Sequence, residues 1–303
     1  MSGHHHDHHG HSHSHSHEPT NMGRAFFIAV LANGIFVLLQ IIFAVFANST
    51  SLLADAVHNA GDVLSLVLAW IANRLLKRAP THTTTYGMKK LSIMAALTNG
   101  VLMVFSCGII ATEAIYKLLK PEMVQASSVL VVASIGILVN GLSALLFYKG
   151  QDDLNIRASF LHLFYDAIIS LGVVIAAFIM LWTQWWWVDA LVGLIIAVVI
   201  LKGTWSLFTD SFRLMLDGVP VGISYLAVKE LLLAQPGVTA IHDLHIWAMS
   251  TKENALSAHL VMPEHPISDE ARRALVTTLN ITFHIQHVTL QVESEASGCE
   301  VLC

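Results

Sequence analysis

Ser51-Leu-Leu-Ala-Asp55-Ala-Val-His58-Asn-Ala-Gly-Asp62 decides the fold. It lies within residues 25–73, where Asp55 and Asp62 are the only acidic or basic side chains apart from His58. Crossing a bilayer takes about 20 mainly apolar residues. The stretch therefore reads as the middle of a membrane helix carrying two carboxylates and an imidazole. Ionisable groups at that depth are costly and mark function by default. A second segment repeats the pattern: His162-x-x-x-Asp166, with Asp166 the only acidic or basic residue besides His162 in 158–188. In both, His and Asp stand four apart, on one helix face and about 6 Å apart along the axis.

Working outward, charge is scarce elsewhere too. Only 12% of the 303 residues are Asp, Glu, Lys or Arg, and 55% are hydrophobic. A soluble globular chain has roughly 25% charged residues, so that class is excluded. The net charge of −5 leaves no basic footprint for nucleic acid. The gaps between charges predict six membrane spans, at 26–46, 52–74, 91–117, 127–148, 157–182 and 188–208. Beyond about 210 charges come in quick succession, which marks a soluble domain. The chain divides into a His-rich N-terminus (1–22), a six-span domain (23–210), a cytosolic domain (211–294) and a Cys-containing tail (295–303).

Basic residues orient the spans, because Lys and Arg concentrate in cytoplasmic loops. Arg74, Lys77, Arg78, Lys89 and Lys90 follow span 2, Lys149 and Arg157 follow span 4, and Lys202 and Arg213 leave span 6. Loops 48–51 and 184–187 have no charge, so both termini are expected in the cytoplasm. Trp185, Trp186 and Trp187 belong in the outer headgroup belt. The polar start lacks the apolar run of a cleaved signal peptide.

Spans 1–3 and 4–6 form two triplets, the second inverted, and each has its His-Asp pair in its middle helix. Asp62 and Asp166 both fall about 15 Å deep. His58, Asp62, His162 and Asp166 can then close an N₂O₂ site, which suits tetrahedral Zn²⁺. Two carboxylates neutralise a divalent cation and ease its burial. Asp55, two turns outward, either helps metal leave or caps span 2. Glu113 reads as a salt-bridge residue; Asn33, Gln40, Asn99 and Asn140 read as interhelical hydrogen-bond partners. Ligation needs neutral imidazoles and ionised carboxylates, so metal binding releases protons. A site that reloads with protons is an antiporter, and the chain has no Walker-type sequence for ATP drive. An enzyme is not expected, since no spare base accompanies the four ligands. A passive channel and a metal-sensing receptor without flux use the same ligands.

The soluble domain reads as a two-layer α-β-β-α-β, ferredoxin-like module. Residues 224–234 have helical spacing, 241–249 and 255–262 form a hairpin, Ser268 caps a second helix, and Val288, Leu290 and Val292 alternate on a last strand. His242, His259, His287 and Glu293 are a candidate metal cluster on the three strands. Period-2 alternation puts His245 on the opposite face from His242. At the N-terminus, His4, His5, His6, His8, His9, His11, His13, His15 and His17 form a tract that captures transition metals without fixed geometry. Cys299 and Cys303 either trap metal or form a reduced tail.

Taken together, Ser51 to Asp62, Tyr86-Gly87, Leu154-Asn155-x-Arg157, His162-x-x-x-Asp166, His242-Asp-Leu-His-Ile-Trp247 and His287-x-Thr-Leu-Gln-x-Glu293 resemble the cation diffusion facilitator family over residues 22–294. The likeness is strongest to its bacterial zinc exporters. It implies a homodimeric six-span exporter in the bacterial inner membrane, surrounded by lipid, that moves cytosolic Zn²⁺ out in exchange for protons. It implies a transport site of His58, Asp62, His162 and Asp166, and a cytosolic site of His242, His259 and Glu293 with His287 nearby. The paired His-Asp motifs resemble those of zinc-preferring members, with Cd²⁺, Co²⁺ or Ni²⁺ as the alternative main cargo. The 82–90 loop has only His82 where some relatives carry a fuller metal site.

Overall fold

The structure, a computed structural model, describes residues 22–76, 78–146, 154–264 and 266–295. The histidine tract, Cys299, Cys303 and His265 lie outside the described residues. Six long helices come first: α1 (Met22–Phe46), α2 (Thr50–Leu76), α3 (Leu91–Leu119), α4 (Ala126–Leu146), α5 (Leu154–Thr183) and α6 (Trp187–Met215). By length and composition, Leu91–Leu119, Ala126–Leu145, Phe160–Thr183 and Trp187–Met215 can each cross a membrane, and Val30–Phe46 is a shorter apolar run. Large apolar side chains such as Leu38, Phe105, Leu142 and Phe178 point outward, where lipid rather than water favours them. Trp185 and Trp187 stack at the α5–α6 turn, ring centroids 6.0 Å apart.

Small residues bring the helices together, as expected where packing rather than the hydrophobic effect drives association. A Cβ on Gly100 of α3 would come within 3.1 Å of the Phe208 backbone on α6. One on Gly193 of α6 would come within 2.9 Å of the Thr50 backbone on α2. Asn99 donates to Ser65 across the α2–α3 contact at 2.7 Å. Glu113 pairs with Lys117 at 2.9 Å, and Lys117 in turn donates to the carbonyl and side-chain oxygens of Asn48.

The α/β unit follows: α7 (Tyr225–Leu233), β1 (Ala240–Ala248), β2 (Asn254–Val261), α8 (Asp269–Phe283) and β3 (Ile285–Glu293). Ser224 and Ser268 cap the two helices through their hydroxyls. The sheet order is β1-β2-β3. The hairpin makes β1–β2 antiparallel, and the α8 crossover makes β2–β3 parallel. Val228 and Leu232 of α7 and Leu275 and Leu279 of α8 bury one sheet face through Leu244, Ile246, Leu256 and Leu260. That leaves the other face to the histidines. The unit is seated at the start of α3: Lys89 pairs with Glu253, Lys90 pairs with Asp217, and the Thr251 N–H donates to Ser92 Oγ at 3.1 Å.

Candidate metal centres

The first centre forms where α2 meets α5. Asp62 and Asp166 each stand twelve residues beyond the first residue of their helices, about 18 Å along the axis. His58, Asp62 and Asp166 converge within 4.8 Å of one another, and His162 flanks them. His58 Nε2 lies 3.1 Å from Asp166 Oδ1 and 4.0 Å from Asp62 Oδ2. His162 Nε2 lies 3.3 Å from Asp62 Oδ2 and 3.7 Å from Asp166 Oδ2. The shorter contacts run between helices, each imidazole facing the other helix's carboxylate, as antiparallel copies of one His-x-x-x-Asp motif require. Asp62 Oδ2 is buried and accepts no hydrogen bond among the described residues. Its neighbours converge on a common point instead of bonding to it.

The site is closed on one side. Asp166 is buried, while His162 is half exposed towards the end of α5 that begins at Leu154. On the opposite side lies Asp55, fully buried. Its Oδ2 accepts from Gln40 of α1 at 2.6 Å and from Ser170 of α5 at 3.0 Å. Asn59 donates to Gln40 at 3.3 Å, so the chain of hydrogen bonds ties three helices below the histidines. Asp55 does not cap α2. Ser49 caps it, accepting from the Leu52 N–H at 3.1 Å, and a second acceptor at that end is Asp189 of α6, which sequence reasoning missed. Its Oδ1 accepts from the Ser49 and Ser51 hydroxyls at 2.6 Å, and its Oδ2 from the Thr50 and Ser51 N–H groups at 2.5 and 3.3 Å. An acid in the first turn of an apolar helix reads as a complement to that helix's own dipole, and its true partner lies across the bundle.

The second centre lies on the open sheet face. His242 and His259 are cross-strand partners, ring centroids 4.8 Å apart. Glu293 reaches both: Oε2 is 3.0 Å from His242 Nε2, and Oε1 is 2.8 Å from His259 Nδ1. His242 Nε2 makes a hydrogen bond with Glu293 Oε2, whereas His259 Nδ1, despite its approach to Oε1, and the other ring nitrogen of His242, Nδ1, are buried without one among the described residues. Two imidazoles and a carboxylate with ligand atoms within 4.8 Å of one another are a donor set that fits a metal.

Two expectations change here. A β-bulge separates His242, opposite His259, from His245, opposite Ser257. The extra residue puts His245 on the same face as His242, not the opposite one. His287 shares the face of Glu293 but not its place: they stand six positions apart along β3, about 20 Å. It sits beside Lys89 Nζ at 3.4 Å and Glu253 Oε2 at 3.7 Å, outside the His242–His259–Glu293 cluster.

A membrane bundle with a two-helix polar centre and a small α/β appendage has known counterparts. Residues 26–216 match the family model of the cation efflux transmembrane domain, and residues 220–295 that of the cation efflux protein cytoplasmic domain. The chain belongs to the cation efflux family. The cadmium, cobalt and zinc/H(+)-K(+) antiporter of Bacillus subtilis (strain 168) is 32% identical over 275 residues, 88% of each chain. Metal cation efflux system protein CzcD of Cupriavidus metallidurans is 32% identical, covering 91% of this chain and 88% of its own. Zinc transporter ZitB of Escherichia coli (strain K12) is 31% identical, covering 85% and 83%. Among solved structures, the metal-bound C-terminal domain of CzcD matches at 35% identity and TM-score 0.22, over 23% of this chain and 99% of that one. As a cation efflux protein, the chain combines a transmembrane transporter domain with a C-terminal cytoplasmic domain.

Proposed function

We propose that this protein exports Zn²⁺ from the cytosol by proton antiport, with His58, Asp62, His162 and Asp166 as the transport site. One observation carries the reading. A tetrahedral ion held at about 2.0–2.1 Å needs ligand atoms about 3.3 Å apart. Ligand atoms of His58, Asp62 and Asp166 lie within 4.8 Å of one another, and His162 Nε2 flanks that trio at 3.3 Å from Asp62 Oδ2 and 3.7 Å from Asp166 Oδ2, on the scale of that edge. Two nitrogens and two carboxylates match zinc, the metal common to the names of the antiporter and of ZitB. Cadmium and cobalt, also in the antiporter's name, are the alternative cargo.

The cargo enters from the side where His162 is open, and the buried Gln40–Asp55–Ser170 layer closes the other. Binding expels protons from the ligands. A rocking of the bundle exposes the site on the far face, the general pattern of alternating access. Protons taken up there displace the metal and reset the helices. The positive-inside pattern supports both termini in the cytoplasm of a bacterial inner membrane. The His242, His259 and Glu293 cluster would hold a resident metal in a cytoplasmic domain shared between two protomers, and the N-terminal histidines would concentrate cargo.

Zn²⁺ flux into lipid vesicles under an imposed pH gradient tests this, wild type beside Asp166→Ala. Flux that follows the gradient and disappears in the variant is expected. Flux indifferent to the gradient would mean a channel, and metal binding without flux a receptor.

A further inference from the structure

His259 stands between two carboxylates. Its Nδ1 is 2.8 Å from Glu293 Oε1, and its Nε2 is 3.5 Å from Asp243 Oδ2. The other oxygen of Asp243, Oδ1, is 2.7 Å from His245 Nε2. Regular alternation would not allow this. With His242 on the open face, residue 243 should point into the core, where Leu244 and Ile246 instead are buried. The bulge supplies the turn: Asp243 has φ 53°. That left-handed conformation is uncommon for a residue with a side chain and is best tolerated by Asn and Asp. A bulge that re-aims one side chain beside a site is a recurrent device.

The chemistry of an imidazole ligand says what the re-aimed carboxylate does. In its metal-binding form the ring has one lone pair and one N–H. The lone pair that serves the cluster is at Nδ1, on the side of His242 and Glu293. The proton must then sit on Nε2, which faces Asp243. Ligating histidines commonly give that second N–H to a carboxylate, which fixes the tautomer and the ring plane and raises ligand basicity. We infer that Asp243 is a positioning residue of the cytosolic metal centre, orienting His259 through Nε2–H, with His245 holding Asp243 in turn. This rests on the proposed role of His242, His259 and Glu293 as ligands.

Full-length protein in detergent, with Asp62→Ala throughout to silence the membrane site, is titrated with Zn²⁺ against a chromophoric chelator, and with Co²⁺ for its ligand-field bands. Asp243→Asn keeps a residue that accepts positive φ and removes the charge. It should weaken cytosolic binding about 10–100-fold, shift the Co²⁺ bands and leave the number of metals per chain unchanged. Asp243→Gly, at ease with the same φ, should weaken it equally. Neither should weaken it further once His259→Ala is present. Unchanged affinity in Asp243→Asn overturns the inference. So does loss of a whole metal equivalent, which would make Asp243 a ligand, or an undiminished effect in the His259→Ala background. If His259→Ala itself leaves cytosolic binding intact, the ligand assignment fails; if only Asp243→Asn is silent, that assignment stands and the positioning role falls.

Discussion

His58 lies closer to Asp166, 108 residues away and on another helix, than to Asp62 one turn along its own. His162 and Asp62 repeat the relationship at 3.3 Å. Neither helix holds a complete site, so the centre exists only while α2 and α5 are apposed, and it reports on their arrangement.

That interdependence makes a prediction about single substitutions. Removing Asp166 takes away a partner of both imidazoles, His58 across the helices and His162 on its own, and removing His58 takes away a partner of both carboxylates. Each of Asp166→Asn and His58→Ala should lower Zn²⁺ flux by at least about 100-fold, beyond the usual cost of losing an outer-shell partner. The double variant should be little worse than either single, since the four act as a unit. Flux assays in vesicles check it, and two independent tenfold losses would contradict a shared site.

The Thr50 end of α2 offers a stability test. Asp189 satisfies two N–H groups and two hydroxyls, and it is fully buried. Asp189→Ala leaves those donors unpaired, and hydrogen bonds to a charged group are worth about 1.5–3 kcal/mol each before relaxation. A net loss of about 2–4 kcal/mol is expected, read as a lowered melting temperature in detergent. Asp189→Asn retains one acceptor oxygen and should lose less. Gly193→Ala attacks the same junction sterically, since its Cβ would meet the Thr50 backbone at 2.9 Å and backbone cannot swing aside. It should be destabilised by about 1–3 kcal/mol.

What the sequence revealed and what it hid follow from cost and distance. Charges in a hydrocarbon span are expensive, so His58, Asp62, His162 and Asp166 stood out against apolar neighbours, and the gaps between charges marked the helices. The cytosolic domain was legible through its period-2 strands and its Ser268 cap. Asp243 was not, because a one-residue bulge leaves no mark on composition and reverses the alternation that placed His245. His287 misled for a related reason: alternation reports the face of a strand, not the position along it. Asp189 was hidden because its partners, Ser49 to Ser51, lie about 140 residues upstream.

The buried layer beneath the site gives a further prediction. Gln40 donates to Asp55 and accepts from Asn59, so Gln40→Leu strips both at once. Asp55, buried and accepting from Ser170 but no longer from Gln40, loses a hydrogen bond whose removal costs about 1–3 kcal/mol. The loss should appear as a lower melting temperature and as freer access to the far side of the bundle. Cysteine placed at buried Val173, one turn along α5 from Ser170, should react with membrane-impermeant thiol reagents faster in that variant than with Gln40 intact, in a background where Cys107, Cys299 and Cys303 are replaced by Ala.

Metal and protons compete for the same atoms, and stability should record it. A ligand bound only to the folded protein stabilises it by about 2.7 kcal/mol at one hundred times its dissociation constant. Zn²⁺ should therefore raise the melting temperature of the detergent-solubilised protein, and a chelator should reverse the gain. The sign of the pH effect follows from ligation: bound metal requires deprotonated ligands, so acid favours the metal-free form. An ordinary imidazole takes its proton near pH 6.5. The Zn²⁺-dependent gain should be large at pH 8 and shrink as pH falls below about 6.5. Removing the two membrane carboxylates, Asp62→Asn with Asp166→Asn, should abolish the part owed to the membrane site and leave the part owed to His242, His259 and Glu293. A gain that grew on acidification would reverse the sign that exchange of metal for protons demands.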